Sequence, residues 1–135
     1  MQKDPYEWVK TMPKGVPIVI TGSDKWTDIR AVLSVVHERR RQVEAEGWGE
    51  KNDDVHINGA LAAAAVCYAM PAAGVLAGFS EKLWPWEKRW WKPKDRRRNL
   101  VRAAALLIAE IERLDRETTA RTAAFENYIY QKPHR

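Results

Sequence analysis

The run Gly59-Ala60-Leu61-Ala62-Ala63-Ala64-Ala65-Val66-Cys67-Tyr68-Ala69-Met70 decides the fold. It is apolar at every position, so a helix built from it is apolar in all directions and belongs at the centre of its domain. Asn58 is the expected cap of this helix, which is read as reaching about Phe79. Pro71 should interrupt or kink it, because proline removes a backbone donor. Upstream lies the turn-rich Gly47-Trp48-Gly49-Glu50-Lys51-Asn52-Asp53-Asp54, and before that a helix is expected over about residues 27–46. Thr27 is its N-cap, Asp28 sits in its first turn, and Ile29, Val32, Leu33, Val36, Arg40 and Val43 trace its stripe. Downstream, residues 80–94 form a tryptophan-rich connector with Pro85 and Pro93. A third helix follows from about Asp95 to Tyr130, with Leu100, Ala104, Leu107, Ile111 and Leu114 at spacings of 4, 3, 4 and 3 as its bundle seam.

Residues 1–26 carry Pro5, Pro13 and Pro17 and the β-branched run Ile18-Val19-Ile20-Thr21, which suits one strand or an extended segment and no long helix. The fold expected is all-α: a small bundle of three main helices over residues 27–135, with an extended N-terminal arm over residues 1–26. A chain of 135 residues makes one domain, and 45% hydrophobic with 30% charged residues excludes wholesale disorder. The single cysteine, Cys67, excludes an internal disulfide, and no Cys and His set has zinc-site spacing. The opening Met1-Gln2-Lys3-Asp4-Pro5 has no apolar run, and the longest apolar stretch is mostly Ala and Gly. A cytosolic protein without membrane association is therefore expected.

The net charge of +5 is unevenly spread. Residues 82–102 hold nine Lys or Arg against Glu87 and Asp95, a local balance of +7 that leaves −2 for the remainder. Such a stretch attracts phosphate unless it is merely a solvated loop. Common catalytic signatures are missing: Gly22-Ser23-Asp24-Lys25 is not a phosphate loop, and His37-Glu38 is followed by Arg40 and Arg41 rather than a second histidine. No strand-to-helix elbow for a Ser/His/Asp hydrolase can be read. The acids Glu38, Glu44, Glu46, Asp53, Asp54, Glu110, Glu112 and Asp115 are interleaved with arginines; those of the third helix have the pattern of a solvated face laced with i to i+4 pairs, whereas Asp53, Asp54 and His56 equally suit a cap on the helix that follows.

Glu38-Arg39-Arg40-Arg41-Gln42, Glu46-Gly47-Trp48, Asp53-Asp54-Val55-His56, Gly59-Ala60-Leu61-Ala62, Trp84-Pro85-Trp86, Trp90-Trp91-Lys92-Pro93 and Ala109-Glu110-Ile111-Glu112-Arg113-Leu114-Asp115-Arg116 together resemble a family of small phage and prophage proteins, over about residues 37–116. The first part is also distantly similar to the all-α MazG-like nucleotide pyrophosphohydrolases, whose helix-borne acids hold magnesium against a nucleoside triphosphate. The resemblance implies a protein acting in the cytoplasm of an infected bacterium on nucleotide-sized ligands. Under an enzymatic reading Glu38, Glu112 and Asp115 would hold Mg2+, with Arg97 or Lys94 on the phosphates. Against hydrolysis, Ala60 stands where that family would carry a Glu, and no acid follows before Phe79.

Seven tryptophans are present, and Trp84, Trp86, Trp90 and Trp91 fall within eight positions. Aromatic faces stack on nucleobases while Arg and Lys pair with phosphates. The competing reading is a hydrophobic plug for a bundle whose central helix lacks bulk. Arg96-Arg97-Arg98 would sit in the first turn of the third helix, where cations oppose the helix dipole and a bound anion would relieve them. The expected ligand-binding set is thus Trp90, Trp91, Lys94, Arg97 and Arg98, with Arg40, Trp48 and His56. The expected function is capture of a nucleotide or cyclic nucleotide signal without turnover, with no resident cofactor. A general nucleic-acid binder ranks behind it because no recognition motif is present. Homo-oligomerisation is expected from so apolar a central helix in so small a domain.

Overall fold

A computed structural model describes residues 29–74 and 78–131. The elements in order are α1 (Ile29–Glu46), the single turn α2 (Glu50–Asp53), α3 (Ala60–Ala72), the short α4 (Phe79–Leu83), a 3-10 turn (Lys88–Trp90) and α5 (Arg96–Gln131). Three of these are main helices, and no strand occurs among the described residues. The chain is all-α, as the apolar run and the helical spacings require. The N-terminal arm, its expected strand, the Thr27 cap and Asp28 lie outside the described residues.

The core is the contact between α3 and α5. Ala64 and Ala109 are wholly inaccessible, and Leu61, Ala65, Cys67, Tyr68, Ala103 and Leu106 fill the space around them. Small side chains let two helix backbones approach closely, so α5 turns its alanine-rich face to the alanine-rich face of α3. This corrects the expected seam. Val101, Ala105, Leu106, Ala109 and Arg113 point inward, whereas Leu100, Leu107, Ile111 and Leu114 remain 45–57% exposed. Larger side chains in place of Ala64 and Ala109 would hold the helices apart.

The boundaries of α3 also differ from expectation. Its N-cap is Gly59 in the left-handed conformation (φ +80°), with no side-chain cap from Asn58. The helix stops at Ala72 rather than continuing to Phe79. Pro71 sits in its last turn, Ala73 N–H donates to the Ala69 carbonyl at 3.0 Å, and Gly74 (φ +73°) reverses the chain. A glycine in this conformation just past the helix satisfies its last carbonyls at no steric cost. Within the loop read as turn-rich, residues 50–53 wind into α2, whose buried Asp53 becomes part of the site.

On α1 the buried face is rotated from the apolar stripe. Val32 and Val43 are about 40% exposed, while Val36, Glu38, Arg39 and Gln42 are buried. Ion pairing turns this helix, as the next section describes. If close α3–α5 packing is the core, Ala109→Leu should cost about 1–3 kcal/mol in urea denaturation, and Val66→Ala, at a half-exposed position, should stay within about 0.5 kcal/mol.

Candidate functional site

Two layers build the site: a buried ion-pair network between α1, α2 and α5, and an aromatic cleft above it. Glu38 is 1% exposed and its carboxylate takes three guanidinium groups. Arg41 donates to it through Nε at 3.0 Å and Nη2 at 2.8 Å, Arg98 through Nη2 at 2.5 Å, and Arg102 Nε lies 3.8 Å away. Burial alone would raise the Glu38 pKa, but the Arg41 hydrogen bonds and the charges of Arg41, Arg98 and Arg102 outweigh it and hold the carboxyl below the usual glutamate range. Arg39, equally buried, pairs with Asp53 at 2.5 Å and Glu112 at 3.4 Å, and its Nη1 donates to the Trp48 carbonyl at 3.1 Å. Burial pushes the Asp53 carboxyl upward despite that partner. Glu38 thus faces α5 and Arg39 faces both α2 and α5, with Gln42 buried beside them, a polar face that apolar counting could not see.

The aromatic residues form an inner and an outer set in contact with each other, Trp86 meeting Trp84 edge-on at a centroid distance of 5.2 Å. Trp84 is buried, donates its indole N–H to the Glu87 carbonyl at 3.2 Å, and meets Tyr68 and Trp91 at centroid distances of 5.5 and 5.0 Å. Trp91 in turn lies 4.8 Å from Tyr68, whose hydroxyl accepts from Lys92 N–H and whose pKa burial raises. These rings close the end of the α3–α5 core. The outer set is Trp48, Trp86, Trp90 and His56: Trp48 lies 6.0 Å from both Trp86 and Trp90, and His56 5.0 Å from Trp86. With Asn52, Pro85 and Glu87 they line a cleft of about 440 Å³. Cations stand beside it, with Arg89 at 5.1 Å and Lys92 at 5.6 Å from the Trp90 ring. The Trp86 indole N–H is buried without a hydrogen-bond partner among the described residues.

Of the residues read from the sequence, the structure brings Trp48, His56 and Trp90 together at this cleft. Trp86, Asn52 and Glu87 were missed. The signal for Trp86 was Pro85: a residue before proline is held extended, and Trp84 has φ −57° and ψ 122°. Rings on either side of Pro85 then go to different layers. Trp91 belongs to the inner set. Arg97 reaches α1 and donates to the Ser34 hydroxyl at 3.0 Å, while Arg98 is engaged by Glu38. The expected joint surface of Trp90, Trp91, Arg97 and Arg98 is thus divided between cleft, core and network.

Protein groups answer the crowding of cations at the start of α5. The Asp95 carboxylate accepts the Arg98 N–H at 3.0 Å, and the Glu38 carboxylate takes the Arg98 side chain. Lys94 is clasped through its backbone by Asn99, with its own side chain exposed. Arg40 is largely covered and lies 4.0 Å from Glu44. As for metal binding, Glu38 and Glu112 both face arginines, and among the described residues no three His, Cys, Asp or Glu side chains gather as a metal set. Among the described residues no helix is long and apolar enough to cross a membrane. No family model, curated protein or solved structure matches the chain.

Because the Glu38 pKa is lowered on folding, its contribution to stability is present above the ordinary carboxylate pKa of about 4.3 and lost as pH falls through the folded value. Glu38→Gln should therefore cost about 3 kcal/mol at pH 7, the lower end for breaking a buried pair because Arg41 and Arg98 are about a third exposed. In chemical denaturation across pH, the gap from wild type should narrow below about pH 4.

Proposed function

We propose that the protein is a phage-type capture module for a nucleotide or cyclic nucleotide, acting in the host cytoplasm and holding its ligand without turnover. The observation that carries this reading is the cleft walled by Trp48, Trp86, Trp90 and His56, with Arg89 and Lys92 beside Trp90. Its volume of about 440 Å³ lies within the range of small-molecule sites. Indole faces supply stacking for a base of any sequence, worth roughly 1–3 kcal/mol per base. Asn52 offers an amide and Glu87 an acceptor to a base edge, and the neighbouring cations suit phosphate.

Capture is favoured over a magnesium-dependent pyrophosphohydrolase because that chemistry needs oxygen ligands converging on an ion. Glu38, its first candidate ligand, already serves three arginines, and Glu112 faces Arg39. The Arg97 and Arg98 side chains are turned to Ser34 and Glu38, so the phosphate role passes to the cations beside the cleft, Lys92 and Arg89, the latter drawn by phosphate from its exposed ion pair with Glu87 at 3.0 Å.

Isothermal titration with mono-, cyclic and oligonucleotides tests the reading. Trp90→Ala and Trp48→Ala should each weaken binding roughly tenfold or more, while Arg89→Ala/Lys92→Ala should weaken it and flatten its salt dependence. If the wild type binds nothing phosphorylated, or if folded tryptophan variants bind as tightly as wild type, the capture reading falls. Pyrophosphate release from a nucleoside triphosphate in magnesium that disappears in Glu112→Ala would establish the enzyme instead.

A further inference from the structure

The two walls of the cleft are held by different forces. Pro85, Trp86, Glu87 and Trp90 belong to the connector, which Trp84 and Trp91 root in the apolar core. Trp48, Asn52 and His56 belong to residues 47–58, none of whose apolar side chains is buried. Val55 and Ile57 are 70% and 76% exposed, and Asp53 is the one buried residue of the segment. The N–H groups of Asn52 and Asp53 both donate to the Gly49 carbonyl at 3.0 Å, and the Asp53 carbonyl accepts the His56 N–H at 3.0 Å. Whatever fixes Asp53 therefore fixes the turn that carries Asn52 and His56.

Arg39 fixes it, and Trp48 with it. Its Nη2 pairs with Asp53 at 2.5 Å and with Glu112 of α5 at 3.4 Å, while its Nη1 donates to the Trp48 carbonyl at 3.1 Å. One guanidinium thus joins Trp48 and α2 to each other, to α1 and to α5. A second ion pair, Asp54 with Arg116 at 2.8 Å, is exposed and of the kind that contributes little. Arg39 itself is 2% exposed and lines no part of the cleft, so a ligand seated there does not touch it.

We infer that Arg39 is the positioning residue of the cleft: it holds the wall of Trp48, Asn52 and His56 against Trp86 and Trp90, and so sets affinity without contacting the ligand. The effect on affinity rests on the capture reading; the hold on the wall does not. Lysine cannot do the same work. A guanidinium carries its donors on separate nitrogens in a rigid fork whereas an ammonium is a point charge, so Arg39→Lys keeps a cation for Asp53 and releases the Trp48 carbonyl.

The matched control is Arg113→Lys, because Arg113 is similarly buried at 5% exposed but serves Glu110 and Glu117 on its own helix. Amide hydrogen exchange reads the wall without any ligand. In Arg39→Lys the N–H groups of Trp48, Asn52, Asp53 and His56 should exchange roughly tenfold faster or more, with α3 and α5 as slow as in wild type. Arg113→Lys should leave those four amides unchanged. Asp53→Asn, which spares the Trp48 contact, should speed Asn52 and His56 but not Trp48, and it reads the same wall should Arg39→Lys not fold. In isothermal titration with mono-, cyclic and oligonucleotides, Arg39→Lys should bind about two- to tenfold more weakly for each side chain that must be reordered, and Arg113→Lys as wild type does. Four amides as slow in Arg39→Lys as in wild type, or unprotected in wild type, overturn the inference. So does equal weakening of binding by the two lysine variants. A wild type that binds no nucleotide removes the capture reading and the effect on affinity with it, while the amides still decide whether Arg39 holds the wall.

Discussion

Because Ala64 and Ala109 pack into one core with no accessible surface, α3 and α5 lie close together, and the rest of the molecule answers that closeness. A core of alanines buries little area per residue, and at roughly 25 cal/mol per Å² it stabilises less than a leucine core of the same length. Large rings then become necessary at its end, where Tyr68, Trp84 and Trp91 pack together. The same closeness admits Leu106 but keeps Leu100, Leu107 and Leu114 of α5 on the opposite, half-exposed face.

Polar residues take over where apolar ones are scarce. Glu38 joins α1 to α5, and Arg39 joins α1 to α2 and to the Trp48 carbonyl. Arg102 also donates to the Lys92 carbonyl, tying the connector to the same helix. Trp48 N–H donates to the Gln42 carbonyl at 3.0 Å, so the ring on one wall of the cleft is fixed from both sides of its peptide unit. A binding surface held in this way loses little freedom when a ligand arrives, which is the benefit of preorganisation.

Much of this was legible in the sequence, and the exceptions share a cause. The apolar run at residues 60–70 identified the central helix, and the caps and spacings placed the long third helix within a residue of its observed start. The stripe on α5 was real but was assigned to the wrong face, because spacing reveals a seam without saying which partner covers it. On α1, periodicity of apolar residues could not find a face made of Glu38, Arg39 and Gln42, since their burial depends on partners more than ten residues away. Trp48, His56 and Trp90 were recognisable as aromatic candidates. The different roles of Trp90 and Trp91 were not, because both pack against the core and only Trp90 also lines the cleft.

The connector owes its two layers to counting. Trp84 and Trp86 flank one proline, and the first is buried in the core while the second packs against it and lines the cleft. Removing or adding a single residue between them would exchange inward and outward rings, emptying the plug and filling the cleft with the wrong surface. Connector length is therefore a quantity under tighter constraint than most of its side chains. Mutational tolerance along this chain should fall for insertions and deletions at residues 84–91 well before it falls for conservative aromatic exchanges there.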